Sequence, residues 1–476
     1  RLKLDVDASY IMQNDRNMVN QGAYSNPLVS AYLFPRGDDF SLIKNFERWN
    51  PARQISEQYW PQGQGDFRMQ NPYWIAYRNL RENDKKRYML SAALSYKLTD
   101  WLNVSGRVRI DNTANLFTEK LYASSNPTLL EESNKGKYTE TRTTDNQTYA
   151  DILVNINKNF GEDFSLVANI GASVSDTKVD GTSNIGPLRD DGIPNLFTVL
   201  NIDRNKGRAV RDGWRELTES VFASVEVGWR RMLYLTVTGR NDWASQLANS
   251  SQISFFYPSA GLSWLPNVTF DMPEQIDYLK IRGSFSSVGL PYPRHLTSPT
   301  FSWNETTQLW NTKTHFPIGK LYPERTNSWE IGVDMSLWRS LSLSASFYRA
   351  DTKNQTFDPD LSVSSGYSTI YLQTGHVRNT GVELALGYNH KWGDFGWDSN
   401  FTFSWNKNEI VELVSNYIHP ELGKPIDKNR LELSTPGQGL GKAKFILKTG
   451  GTLGDLYTHS KLAYCLLYTS PSPRDS

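Results

Sequence analysis

At 476 residues the chain could hold two or three soluble domains or one large barrel. Its net charge of +1 provides no long-range field for nucleic acid or an anionic membrane surface, and its one cysteine, Cys465, excludes disulfide frameworks and multi-cysteine metal sites. Only 38% of the residues are hydrophobic, yet 13% are aromatic, with 15 Trp and 24 Tyr, which suits a barrel with a polar inside and aromatic girdles better than an apolar-cored globule.

Residues 2–12 predict a strand. The chain opens without Met and already alternates there, so it reads as a segment of a longer protein. Residues 13–86 form a long polar stretch rich in Asn, Gln, Pro and aromatics. A hairpin follows: Tyr88, Leu90, Ala92, Leu94, Tyr96 and Leu98 face one way, Thr99-Asp100 turn, and Leu102, Val104, Gly106, Val108 and Ile110 return on the same face. Arg107 and Arg109 fall on the opposite, polar face. The pattern recurs at 150–174, 221–240, 329–347 and 382–405, with single strands at 255–265 and 278–287. In the 221–240 hairpin, Val225, Val227, Leu233 and Leu235 share the apolar face, while Glu226, Thr236 and Arg240 share the polar one. Residues 461–476 lose the alternation and read as a disordered tail or a sequence artefact.

Short turns near 99, 161, 230, 339 and 393 alternate with long connections at 13–86, 112–148, 176–217, 289–326, 351–376 and 408–440. Short turns on one side and long loops on the other are the mark of an outer-membrane barrel, whereas a soluble sandwich keeps both sets short. No apolar run approaches the ~18 residues of a membrane helix, and no segment carries a helical stripe. The expected fold is therefore all-β: a transmembrane antiparallel β-barrel wall of about 14 strands over residues 1–460. A soluble all-β glycan-binding protein, or a passive or adhesive barrel, is the alternative.

With the strands placed, several peptides resemble the SusC/RagA-type TonB-linked outer-membrane transporter family. TGRNDWASQL and FFYPSAGLSWLP carry Arg240, Asp242, Ser245, Phe256, Pro258, Ser259 and Trp264 at the family's spacing. YLKIRGSFSSVGLP (278–291) resembles a further segment. LYPERTNSWEIGVDMSL matches the family pattern through Pro323, Glu324, Arg325, Trp329 and Glu330. QTGHVRNTGVELALGY matches through Asn379, Gly381 and Glu383, with Gln373 departing from it, and NPYWIAY (71–77) resembles a segment of the first loop. The resemblance implies a barrel of about 22 strands in the outer membrane. It also implies a plug and TonB box that this segment lacks, uptake energised by a TonB complex, and a SusD-like surface lipoprotein. An oligosaccharide, or else a peptide, is the implied substrate.

Among candidate residues, Trp49, Tyr59, Trp60, Tyr73 and Trp74 of the first loop could stack on sugar rings or grip peptide side chains; self-packing is the plainer alternative. Arg107, Arg109, Glu226, Arg240 and Glu383 are expected to face the lumen. Arg325 and Glu330 are expected to pair at the base of a loop, with Trp329 at headgroup level and Gly381 easing a strand start. Asn201, Asp203, Asn205 and Gly207 only loosely resemble a Ca²⁺ loop, and Arg189-Asp190-Asp191-Gly192 reads as a turn. The six histidines lie in loops or at strand ends without catalytic or metal spacing, so no enzyme, cofactor or metal site is expected.

Overall fold

The computed structural model describes all residues except 18–21, 23, 63–68, 249–251, 291–301, 305–308, 312–314, 317–323, 358–368, 371, 419–424, 433–442 and 459–476. Pro323 and the 461–476 tail, with Cys465, lie outside the described residues. Among the described residues thirteen strands form one sheet in sequence order, close to the 14 expected. Numbered within that sheet, they are β1 (Leu2–Arg16), β2 (Asn79–Lys97), β3 (Leu102–Tyr122), β4 (Gly136–Phe160), β5 (Phe164–Pro187), β6 (Arg208–Trp229) and β7 (Leu233–Ala244). There follow β8 (Ser254–Trp264), β9 (Ile276–Leu290), β10 (Glu324–Leu337), β11 (Leu341–Phe357), β12 (Leu372–Trp392) and β13 (Phe395–Glu412). Every neighbour joins its predecessor in sequence, a meander with no crossover. None of the described helices is long and apolar enough to cross a membrane.

The chain divides into two compact units. The first comprises residues 1–96, 105–152 and 173–217; the second comprises 97–104, 153–172 and 218–476.

In the first unit β1 pairs antiparallel with β2, placing Leu4 opposite Leu94, Val6 opposite Ala92 and Ala8 opposite Leu90. Exposure here is inverted relative to a soluble sheet. Along β2 the apolar Tyr88, Leu90, Ala92 and Leu94 are exposed, while their alternates Met89, Ser91, Ala93 and Ser95 are half-buried. Buried apolar side chains gather instead in the connections, at Trp74, Ile75, Leu130 and Leu188, and at the strand ends next to them, at Leu80, Leu121 and Tyr138.

In the second unit the same inversion is clearest on β7 and β8, where Leu235, Val237, Ala260 and Leu262 are exposed and Thr236, Thr238, Ser259 and Ser263 half-buried. Val225 faces Val237, which faces Ala260; Leu235 faces Leu262. Farther along, Ile331 faces Phe347, which faces Val382, which faces Trp405. Isolated exposed apolar residues are ordinary, but a continuous sheet face of them needs an apolar neighbour. Turns after β6 and β10 each bend on two consecutive left-handed residues, Arg230-Arg231 and Trp338-Arg339. That twist suits tight hairpins even without the usual Asn-Gly.

Several strands run past the expected limits. Residues 112–122 and 136–148, expected in a connection, belong to β3 and β4, and 176–187 and 208–217 belong to β5 and β6. The true connections there are 123–135 and 188–207. Likewise β2 starts at 79, β11 ends at 357 and β13 at 412. Hydrophobic alternation stops where both faces meet water, but backbone pairing does not. Polar cross-strand contacts take over: Arg87 Nη2 with Asp111 at 2.5 Å, Arg215 Nη2 with Asp176 at 2.6 Å, and Thr141 with Ser183 at 2.9 Å.

Candidate functional site

The polar face of the second unit is built by period 2. On β9, Lys280, Arg282 and Ser284 alternate with Leu279, Ile281 and Gly283. Arg282 lies opposite Gly332 of β10. A Cβ at Gly332 would stand 2.7 Å from the Arg282 guanidinium carbon, so the missing side chain makes room for the guanidinium. Arg282 there ion-pairs with Glu330 and lies 3.4 Å from Asp334. Ser344 of β11 donates to Asp334 at 2.6 Å. Beside them Ser346 faces Glu383 of β12, which faces Ser404 of β13. Arg282, Ser344, Ser346, Glu383, Thr402 and Ser404 line a shallow cavity of about 280 Å³. Two carboxylates, Glu330 and Asp334, thus hold one guanidinium, and Glu383 lines the same cavity, an arrangement able to hold a polar solute by hydroxyl and carboxylate hydrogen bonds. Arg282 was not among the sequence candidates, although its alternation with Leu279 and Ile281 marks it as polar-facing.

The expected lumen residues take the following places. Glu226 accepts from Thr236 Oγ1 at 3.0 Å. Arg240 donates to Asp242 at 2.6 Å and to Ser220 at 2.8 Å, and covers the Phe222 ring. Thr238 bonds Ser259; Pro258 sits on the other face, opposite Gly239. Glu383 is exposed in the cavity just described. In the first unit Arg107 pairs with Asp151 at 2.7 Å, and Arg109 is exposed. Most of these cations are matched by a carboxylate on the neighbouring strand or two residues away.

Two expectations for the motif around Trp329 are overturned. Arg325 does not meet Glu330: it donates to the Phe256 carbonyl at 2.9 Å, while Glu330 bonds Arg282. Five residues apart on a strand, the two side chains point to opposite faces. Gly381 does not ease a strand start, because β12 begins at Leu372. A Cβ there would collide with the Tyr348 ring and stand 2.8 Å from the Trp405 carbonyl, so Gly381 admits the tyrosine. Trp329 packs on Phe347 at 5.3 Å, and Asn379 accepts from Asn408 at 2.9 Å. The Glu324 carboxyl, at the start of β10, is pushed above its ordinary range by burial.

Beyond the apolar band, Asp351 accepts from Arg349 and Arg378 at 2.8 Å each and bonds His376 at 2.7 Å. Burial alone would raise its pKa; the hydrogen bonds from Arg349, Arg378 and His376 outweigh it and hold the carboxyl well below the ordinary range.

The first-loop aromatics belong to the first unit. Asn71 is the hub of that loop. It caps the helix Pro72–Arg78 through the Tyr73 N–H, and donates to the Ile43 and Tyr59 carbonyls at 2.8 and 2.9 Å. Trp74 is 0% exposed, with its indole N–H spent on Ser125 at 2.8 Å. Tyr59 is covered by the Arg48 guanidinium at 3.5 Å. Trp60 packs on Phe34 and Tyr73 on Phe40. Trp49, 63% exposed, is the ring of the five that stands most open to solvent. Asp203 caps the N–H groups of Asn205 and Lys206, and Asn201 donates to the Ile193 and Leu196 carbonyls, so the loosely Ca²⁺-like loop is tied to its own backbone. Among the described residues no cluster of three His, Cys, Asp or Glu side chains could hold a metal ion.

Comparisons with known proteins bear on this architecture. The family model for the TonB dependent receptor-like beta-barrel matches residues 29–451. TonB-dependent receptor P3 of Formosa agariphila is 26% identical over 257 residues, covering 50% of this chain and 24% of that protein. TonB-dependent receptor P39 of the same organism is 23% identical over 318 residues, 65% of this chain and 28% of its own length. The chain therefore spans about a quarter of these relatives' length. Among solved structures, the RagAB peptide transporter superposes with a TM-score of 0.74 at 17% identity, over 94% of this chain and 47% of that one. The RagAB peptide importer in the open-open state gives 0.68 at 17%, with the same coverages. Such identities establish the β-barrel fold. Matched along most of its length, the chain belongs to the TonB-dependent receptor-like β-barrel family, whose members are outer-membrane transporters and not enzymes.

Proposed function

We propose that this chain is the membrane wall of an energised outer-membrane importer. It takes up short peptides in preference to oligosaccharides, works with a TonB complex, and receives its cargo from a SusD-like surface lipoprotein. The observation that carries this reading is the inverted sheet: apolar residues exposed on one face, and on the other a polar ladder running from Glu226 through Arg282 and Glu330 to Glu383. In a barrel the first face meets lipid and the second lines the path of the solute. The long connections then lie outside the cell and the short turns in the periplasm.

Peptides are preferred over sugars for a geometric reason. Sugar recognition favours open aromatic platforms, and of the five loop aromatics Trp74 is buried, Tyr59 is covered by Arg48, and Trp60 and Tyr73 pack on Phe34 and Phe40. The structurally similar RagAB peptide transporter and RagAB peptide importer are in keeping with this.

Deleting the full gene and measuring uptake of labelled oligopeptides and oligosaccharides, with and without TonB, tests the proposal. TonB-dependent loss of peptide uptake is the expected result. Unchanged peptide uptake, or loss confined to oligosaccharides, overturns it.

A further inference from the structure

A second cavity lies in the first unit, where the end of β1, the two short helices of the first connection and the starts of β2 and β3's outer half converge. Its volume is about 280 Å³, near the lower end of small-molecule sites. Apolar walls come from Pro27, Leu28, Ile75, Ala76 and Leu121. Polar groups stand around these walls: Asn17, Ser25 and Asn26 at one end, Asn79 beside them, and Arg81 with Glu119 opposite. No aromatic ring lines it.

Asn79 sets the chemistry of this cavity. Trp74's indole N–H can only donate, and it donates to Ser125 Oγ at 2.8 Å. The Ser125 hydroxyl proton is therefore free to go onward, to Asn79 Oδ1 at 2.7 Å. In this arrangement the Ser125 hydroxyl is the donor and Asn79 Oδ1 the acceptor. The other end, Nδ2, is buried and has no acceptor among the described residues, in a side chain of a residue only 9% exposed. A buried amide donor left unpaired is costly, and native proteins rarely keep one. Close by, Arg81 Nε is 3.4 Å from Glu119 Oε1 but makes no aligned hydrogen bond. Two donors without an aligned acceptor, Asn79 Nδ2 and Arg81 Nε, thus belong to residues that line a chamber with one apolar wall.

We propose that this cavity is a subsite for one apolar residue of a peptide. The side chain fills the space between Leu28, Ile75 and Leu121, and the residue's carbonyl oxygen accepts from Asn79 Nδ2. The inference rests on the reading of the chain as a peptide importer and names where a cargo residue is first held.

The test uses the full-length transporter in nanodiscs, with the tripeptide Gly-Leu-Gly as probe and Gly-Ser-Gly as its polar counterpart, followed by calorimetry. Two variants address the site from different sides. Asn79→Asp keeps the oxygen that Ser125 needs and removes the donor. Leu28→Trp narrows the chamber from a half-exposed position that tolerates bulk. Saturable binding of Gly-Leu-Gly, weakened about tenfold or more by each variant and by the serine probe, is the expected result. No saturable binding by the unaltered protein, or binding indifferent to both variants, overturns the proposal; the latter result assigns the Asn79 amide to a trapped water. Cellular uptake of a longer peptide separates this subsite from the importer reading. Uptake without Gly-Leu-Gly binding removes the subsite alone, and binding without uptake removes peptide import alone.

Discussion

Gly381 and Tyr348 face each other across β11 and β12, and the tyrosine ring occupies the space a side chain at 381 would need. Its hydroxyl extends on toward Asn406 Oδ1, 3.4 Å away on the next strand. Gly381→Ala should therefore cost about 1–3 kcal/mol, the usual penalty for overpacking. The Trp405 carbonyl on the other side, 2.8 Å from the added carbon, is backbone and cannot step away. Tyr348→Ala in the same chain should recover only part of the loss. The temperature at which the folded band shifts on a gel reads both effects.

The assignment of the two sheet faces makes an asymmetric prediction for adjacent residues. Val237 lies among Val225 and Ala260 on the exposed apolar face; Thr236 bonds Glu226 on the polar one. Val237→Arg should destabilise the inserted protein by about 2–4 kcal/mol if near the bilayer midplane. Thr236→Arg should stay within about 1 kcal/mol, because the new guanidinium meets Glu226. Equal penalties at the two positions would refute the lipid and lumen assignment.

Acid stability should depend on Asp351. Its folded pKa lies below the unfolded value of 3.8, so its contribution is fully present above that value and is lost as pH falls through the folded one. Asp351→Asn should therefore be less stable than the parent at neutral pH, by about 1–3 kcal/mol, since Arg349 and Arg378 lose their anion. The difference should shrink as the solution is taken below about pH 4. Denaturant melts of the two proteins at neutral and acid pH provide the check.

In the first loop two tryptophans should behave in opposite ways. Trp74→Phe removes the donor to Ser125 and unsettles the link to Asn79, at a cost of about 1–3 kcal/mol in loop stability. Trp49→Ala, at an exposed ring, should change stability by no more than about 0.5 kcal/mol. Limited proteolysis of the loop distinguishes them, with the Trp74 variant cut faster.

Period 2 was the most legible signal in the chain, because each membrane strand keeps apolar and polar residues on separate faces. It placed Val225 with Leu235 and Arg107 opposite Val108 without any structure. It failed where the alternation of hydrophobicity ends but the ladder continues, as in the Thr- and Asn-rich stretch of β4. The same rule, applied consistently, forbids the Arg325–Glu330 pair, whose odd separation sends the two side chains to opposite faces. Arg282 needed one fact the sequence does not display, namely that Gly332 lies across from it. The Trp74–Ser125–Asn79 chain was beyond reach for a related reason. It links residues as far as 51 positions apart through a connection whose path no periodicity describes.

The length of β4 has a mechanical consequence. Crossing a bilayer takes a tilted strand of about 9–11 residues, and β4 has 25. Some 14 residues remain, roughly 45 Å of extended chain at ~3.3 Å per residue. That surplus is hydrogen-bonded to its neighbours rather than hanging as a tether. The connection before β4 is then seated on paired backbone, and it can exchange its chemistry without re-engineering the part that lipid holds.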